Sequence, residues 1–290
     1  MIAFITSIRH PANSGDYGRV ELLLQRTLAS ICQQTSNDFV VFVVGNDTPG
    51  FPLPPSVTFL KVDFPPPASA DGFHARRDDF VWDKGTKIGA GIVAAREVDP
   101  EYVMIFDADD FVDRRLAEYA NSRPGRSGWV IDRGYMYSMS RNALRKQDAF
   151  NRTCGTCHII SAAAYPRTKL TTGASQSDIA NSFGPFLDNA LGAHRDTAAW
   201  FEHRGVVLDP LPFRGAVYHV DTGENHSGKQ LTGVAPPLSR ALSARFGIPL
   251  DSGFAKRCLS AAGPTPILET LEMTSDKAVR LAKRGRDRRR

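Results

Sequence analysis

Phe39-Val-Val-Phe-Val-Val44 is a run of six apolar residues, mostly β-branched, with no polar alternation. A strand that is apolar on both faces needs cover on both faces, and a parallel sheet with helices on each side provides it. The flanking sequence repeats the demand. Residues 2–8, 57–62 and 102–106 are further short apolar runs of strand type. Between them, residues 20–32 set Leu22, Leu23, Leu24, Leu28 and Ile31 on a helical stripe, and residues 86–98 do the same with Ile88, Ile92, Val93 and Ala95. Gly45-Asn-Asp-Thr-Pro49 and Pro65-Pro-Pro67 supply turn signals. Strand and helix in alternation predict an α/β fold, a mostly parallel sheet with helices on both faces. Ligands of such sheets sit beyond the carboxyl ends of the strands. Asn46-Asp47 and Asp107–Asp110 both fall there.

The second half is less regular. Residues 129–131, 135–137, 206–208 and 216–220 read as short strands, residues 196–202 as a short helix, and residues 221–229 as a loop. Apolar residues make up 42% of the chain and charged residues 23%, which excludes wholesale disorder and fibrous repeats. No stretch approaches the roughly 20 apolar residues that cross a bilayer. The apolar start lacks a preceding basic region and reads as a first strand, not as an export signal. Four cysteines without such a signal predict a reducing, cytoplasmic setting.

Phe106-Asp107-Ala108-Asp109-Asp110 carries the chemistry. Three carboxylates within four residues repel one another unless solvent or a cation screens them. A hard divalent cation takes oxygen ligands and suits such a place, with substrate phosphates completing its shell. Asp107 and Asp109 share a side in an extended segment. The bland alternative is a solvated turn, or a cap for a helix over residues 112–119.

The run from Ile2 to Pro11, followed by Leu24-x-x-Thr27-Leu28-x-Ser30-Ile31-x-x-Gln34-Thr35, resembles the opening of family 2-like glycosyltransferases of the GT-A fold. Val43-Val44-Gly45-Asn46-Asp47-Thr48 is similar to their nucleobase-contacting strand end, and Phe106 to Asp110 to their D-A-D-D motif. The resemblance covers residues 2–110 best and looks most like a bacterial rhamnosyltransferase-like branch. It implies a single GT-A-like domain over residues 1–275, with a nucleotide-sugar-binding half (1–120) and a smaller, irregular acceptor-side half (121–275). It also implies a role for each matched residue. Asp109 would ligate Mg²⁺ or Mn²⁺ at the diphosphate of the donor, and Asp107 would touch the ribose or the metal shell. Asp47 and Asn46 would meet the nucleobase. The expected activity is metal-dependent, inverting transfer of a sugar from a nucleoside-diphosphate sugar to a hydroxyl of a glycan or lipid-linked acceptor, as in surface-polysaccharide synthesis.

Further candidates lie around this core. Arg9 follows the first strand and is a donor-binding candidate. Asp83-Lys84-Gly85-Thr86-Lys87 reads as the opening of a helix, and a helix N-terminus with nearby lysines is an anion site, so Lys84 and Lys87 are candidates for the diphosphate. Family members carry a Glu-Asp pair about ten residues before a glycine leading into the last strands. Counting back from Gly205 reaches Ala193-His194 instead, with Asp196 two residues on. The base is then His194, whose imidazole titrates near neutrality, or Asp196. The family often places a late histidine near the metal. His226, in a polar loop, is favoured for this over His219, which sits in an apparent strand.

Other strings resolve more plainly. Gly223 to Gln230 misses a P-loop by ending in Gln where a hydroxyl should hold Mg²⁺. Cys154-Gly-Thr-Cys157-His158 spells a haem-attachment string, but without export or a second Cys pair it reads as two structural cysteines in a loop. Two alternatives to the glycosyltransferase stay open: a sugar-phosphate nucleotidyltransferase, which releases pyrophosphate, and a non-catalytic polyanion-binding protein.

Charge is unevenly spread. The chain holds 36 Lys and Arg against 31 Asp and Glu, a net +5. Residues 277–290 alone hold eight basic residues and one acidic, a net +7. Taking these from the totals leaves 28 basic and 30 acidic residues, a net −2. The body is therefore not basic, and nucleic acid is not an expected partner. The tail, residues 276–290, is expected to touch an anionic membrane surface, such as the inner membrane face.

Overall fold

The computed structural model describes residues 1–71, 74–75, 77–224, 228–250 and 252–274. The parallel core is built from β1 (Ile2–Ser7), α1 (Tyr17–Ile31), β2 (Phe39–Gly45) and β3 (Val57–Lys61). After a small hairpin, β4 (Ser69–Asp71) and β5 (His74–Ala75), come α2 (Arg77–Ala95) and β6 (Tyr102–Ile105). Strands β3, β2, β1 and β6 lie side by side and parallel. The register pairs Ser7 with Val44 and Ile5 with Ile105, so the segments leaving β1, β2 and β6 emerge along one edge.

The β1 side chains explain the two-sided cover. Ile2 and Phe4 point into a core shared with α1 residues Leu24, Leu28 and Ile31. Ala3 and Ile5 point the other way, into a core with α2 residues Ile88, Ile92 and Val93. Asp16 caps α1 by accepting from Arg19 N at 3.0 Å. Helix α2 begins at Arg77, nine residues before the periodic stretch, because its first turns are charged and turn their apolar residues inward sparsely. Residues 83–87 are thus helix interior, and the N-terminal anion site expected there is corrected.

The chain then builds outward. In order come β7 (Phe111–Val112), α3 (Leu116–Asn121), β8 (Gly128–Val130), β9 (Arg133–Ser138), β10 (Ala143–Asp148) and β11 (His158–Ser161). Helices α4 (Gln176–Phe183) and α5 (Thr197–Glu202), β12 (Asp209–Pro210), β13 (Ala216–Val220), α6 (Arg240–Phe246) and α7 (Phe254–Ala262) follow. Residues 264–274 form a further helix. Antiparallel β11 joins β6, then β8 and β12 extend the main sheet to seven strands. A second sheet runs β10-β9-β13-β7. The architecture is α/β with a mostly parallel central sheet and helices on both faces, as the apolar runs demand. Residues 206–208, expected as a strand, are a loop beside the two-residue β12. Among the described residues no helix is long and apolar enough to cross a membrane.

Helix α2 lies close on the sheet because Gly91 has no side chain. A Cβ there would sit 2.5 Å from Ile5 Cγ2. Gly91→Val is expected to lower the free energy of unfolding by about 1–3 kcal/mol through overpacking. Gly173, with nothing within 4 Å of an added Cβ, is the control position. Urea denaturation of Gly91→Val and Gly173→Ala checks the contrast.

Candidate functional site

The turn Asp107–Asp110 joins the two sheets, with β6 entering it and β7 leaving it. Two antiparallel pairings decide its neighbours. Strand β11 runs against β6 with His158 opposite Ile105, so the residues just before β11 lie beside those just after β6. Strand β13 runs against β7 with Val217 opposite Phe111, which carries His219 alongside Asp109.

The first pairing gives the Cys154–Cys157 segment a place that the sequence alone did not disclose. Asp110 is fully buried, and its Oδ2 accepts from Thr156 Oγ1 at 2.6 Å and from Cys154 Sγ at 2.9 Å. Its Oδ1 accepts from His219 N at 3.0 Å. Thr156 Oγ1 in turn accepts from Asp107 N at 2.9 Å. Gly155 packs against Asp107 so closely that a Cβ would lie 2.5 Å from Oδ2. The two cysteines are free thiols, but Cys154 and Gly155 form a wall of the site. The hint available in the sequence was chemical: small hydrogen-bond donors around a glycine suit close contact with a carboxylate.

A cavity of about 460 Å³ opens over this turn. Half-buried Asp107 and Asp109 line it, together with Lys84 and Arg9. Lys84 Nζ pairs with Asp107 Oδ1. Arg9 donates to Glu224 Oε2 at 2.8 Å and to the Glu224 carbonyl, tying the segment after β1 to the loop after β13. Four carboxylates (Asp107, Asp109, Asp110, Glu224) thus stand with two cations, Lys84 and Arg9, around this turn. The imbalance appears in the titration. Burial works to raise Asp107, but the Lys84 ammonium outweighs it and holds that carboxyl below the usual range. Burial first, and the Asp107 charge second, push Asp109 up to about 7 against the pull of Arg9. Burial, Asp109 and Asp107 push Asp110 well up, with the hydrogen bonds from Cys154 and Thr156 opposing.

The second half of the chain adds basic residues. Arg152, Arg195 and Lys229 also line the cavity. Arg152 also holds Asp196 at 3.0 Å.

The remaining candidates divide. His194 lines the cavity; burial lowers it to about 4, with the Asp107 charge opposing, so its imidazole is neutral at pH 7. Asp196 is exposed, outside the cavity lining. Lys87 is fully buried, bound to Asp83 Oδ2 at 2.9 Å and to the Ile8 carbonyl at 3.1 Å, and is likewise no part of the lining. Its work is internal: it fixes the end of β1 to α2. Asn46 and Asp47 sit at the carboxyl end of β2, also off the lining. Asn46 is buried and donates to the Phe64 carbonyl at 2.8 Å, whereas Asp47 is exposed. His219 is buried between Phe111 and Tyr137, with Nδ1 3.2 Å from the Asp109 carbonyl oxygen. His226 lies outside the described residues.

No protein-family model matches the chain, and no curated protein matches it. Solved structures do. A crystal structure of S. aureus TarS residues 1–349 is 12% identical, with a TM-score of 0.41 over 75% of this chain and 60% of that one. A crystal structure of S. aureus TarS is 12% identical, with a TM-score of 0.32 over 76% of this chain and 36% of that one. The chain therefore spans less than two thirds of either.

Two outcomes are expected. Thr156→Val removes both the donor to buried Asp110 and the acceptor for Asp107 N, and should cost about 1–3 kcal/mol of stability, with Thr156→Ser restoring most of it in urea denaturation. A cation at the turn would need ionised Asp109, which is neutral below about 7. Mn²⁺ affinity should therefore rise about tenfold per pH unit up to that point and level off above it, a slope that calorimetry should find missing in Asp109→Asn.

Proposed function

We propose that the chain is a glycosyltransferase that moves a sugar from a nucleoside-diphosphate sugar to a hydroxyl of a glycan or lipid-linked acceptor. The observation that carries this reading is the mixed charge of one cavity at the carboxyl ends of a parallel sheet. Half-buried Asp107 and Asp109 line it together with Arg152, Arg195 and Lys229. A diphosphate in such a cavity meets basic side chains and needs a bridging cation at the carboxylates. The resemblance of residues 2–110 to the family 2-like enzymes supports the same reading.

The donor chemistry fits a hard divalent cation, Mg²⁺ or Mn²⁺. Among the described residues no group of three His, Cys, Asp or Glu side chains forms a full metal cage. Mg²⁺ is ordinarily held by one or two carboxylates, with waters and substrate phosphates filling the rest. Asp109 and Asp107 would be those carboxylates. The bound cation supplies charge neutralisation for the departing nucleoside diphosphate.

The chain's own residues do the rest. Lys84, in the cavity lining, keeps Asp107 ionised. Arg9, through Glu224, holds the loop after β13 over the same space. His194 lines the cavity as a neutral imidazole and takes the proton from the attacking hydroxyl. Asp196, paired with Arg152, positions that lining residue.

A screen of nucleotide sugars with and without Mn²⁺ tests the reading. The expected product is nucleoside diphosphate, and Asp109→Ala should cut turnover by about 100-fold or more. Release of pyrophosphate, or full turnover in Asp109→Ala, would sink it.

A further inference from the structure

The tail over residues 276–290 lies outside the described residues, but the wall behind the main cavity lies within them. A recess of about 10 Å³ sits in that wall. Such a volume admits one water molecule and is too small for a sugar or a nucleotide. Lys84 and His194 line both spaces, so the His194 imidazole stands where the recess meets the cavity. His158, Tyr165 and Thr197 complete the polar part of the recess lining.

Three of these side chains carry polar atoms that the protein leaves unsatisfied. Tyr165 is 4% exposed, and its ring is held by Phe186 and Phe201 at centroid distances of 6.4 and 5.9 Å. Its hydroxyl has no hydrogen-bond partner among the described residues, and burial alone pushes its pKa up. His158 is 7% exposed. Its Nδ1 lies 3.2 Å from Cys157 Sγ, whereas Nε2 is 3.9 Å from the same sulfur and has no other partner among the described residues. The His194 ring likewise makes no hydrogen bond among the described residues. The other two polar groups are engaged. Lys84 Nζ pairs with Asp107, and Thr197 Oγ1 donates to the Asn189 carbonyl at 2.7 Å.

Buried polar atoms are almost always hydrogen-bonded, either to protein or to ordered water. An internal water typically makes about three hydrogen bonds to groups that would otherwise lack them. Three such groups line a space for one water. Burial, and then His194, push His158 down to about 3, so its ring is neutral at pH 7 and offers one donor and one acceptor. The nitrogen of an imidazole that keeps the proton is set by what the other nitrogen meets.

We propose that one internal water bridges His158, Tyr165 and His194, and that His158 and Tyr165 are positioning residues which fix the tautomer and tilt of the His194 imidazole through it. The water site stands on the recess alone. Its effect on turnover rests on the reading of His194 as the base.

Nitrogen NMR of the full chain, labelled at histidine, tests the positioning without substrate. At pH 7 His194 should hold a single tautomer, and Tyr165→Phe and His158→Leu should each turn it into a mixture. His158→Gln, which returns an amide nitrogen near the place of Nε2, should restore the single form. Tyr165→Phe keeps the packed ring, so it should keep the thermal midpoint of the parent. A crystal structure should show one water within about 3.2 Å of Tyr165 Oη and of the His158 ring. In turnover, Tyr165→Phe should lower kcat by about tenfold with the donor KM unchanged. It should cost nothing further when added to His194→Ala, because it acts through that ring. His194 nitrogen shifts that are the same in the parent, Tyr165→Phe and His158→Leu would overturn the proposal, as would a recess without water. Altered shifts together with full turnover in His194→Ala would support the bridge and remove His194 as the base.

Discussion

The structure turns on the mutual repulsion of Asp107, Asp109 and Asp110. Three carboxylates on one turn require a setting that meets each of them differently. Asp110 is buried and given three donors, from Thr156, Cys154 and the His219 backbone. Asp107 is given the Lys84 ammonium. Asp109 is left facing the cavity, with its proton held up to about 7. The same turn joins the two sheets, so the repulsion sits where β6, β7, β11 and β13 meet. Much of what surrounds it, including the glycine at 155 and the ion pair of Arg9 with Glu224, serves to contain or balance that charge.

The elements of the parallel core were legible in the sequence because local signals sufficed for them. The 39–44 run, the α1 stripe and the apolar residues before Asp107 each state their burial within a few residues. The site was legible in part. Asp107, Asp109, Arg9, Lys84 and His194 all reach the cavity. Lys87 was misjudged for a physical reason. The stretch before it lacks apolar periodicity, so the helix seemed to open at Asp83, when it opens at Arg77. An interior lysine beside an interior Asp closes on it, and does not reach out. The Cys154–Thr156 segment was not legible. Its role depends on β11 pairing antiparallel with β6, and β11 is only four residues long, His158–Ser161, with no alternation to announce it. Arg195 and Lys229 were missed on similar grounds, since no spacing rule connects the second half of the chain to the turn.

The cavity lining mixes charges from both halves of the chain. Asp107 and Asp109, at the end of a strand in the parallel core, line it with Arg9 and Lys84, and the irregular second half adds Arg152, Arg195 and Lys229 as well as Glu224. An anion in this space is drawn to the basic side chains and repelled by the carboxylates, and a small cation at Asp109 would relieve that repulsion.

The β6–β11 pairing also has a kinetic side. Asp107 and Thr156 are 49 residues apart in the chain, yet they touch. Until β11 docks, Asp110 has neither Thr156 nor Cys154 to receive hydrogen bonds from, and the carboxylates of the turn must stay in water. Contacts of such long range are reached late, because the loop between them has to close first. The acidic turn therefore acts as a brake on premature burial: β6 can add to β1 early, but the turn beyond it gains nothing from leaving solvent until a strand from half a hundred residues away has arrived.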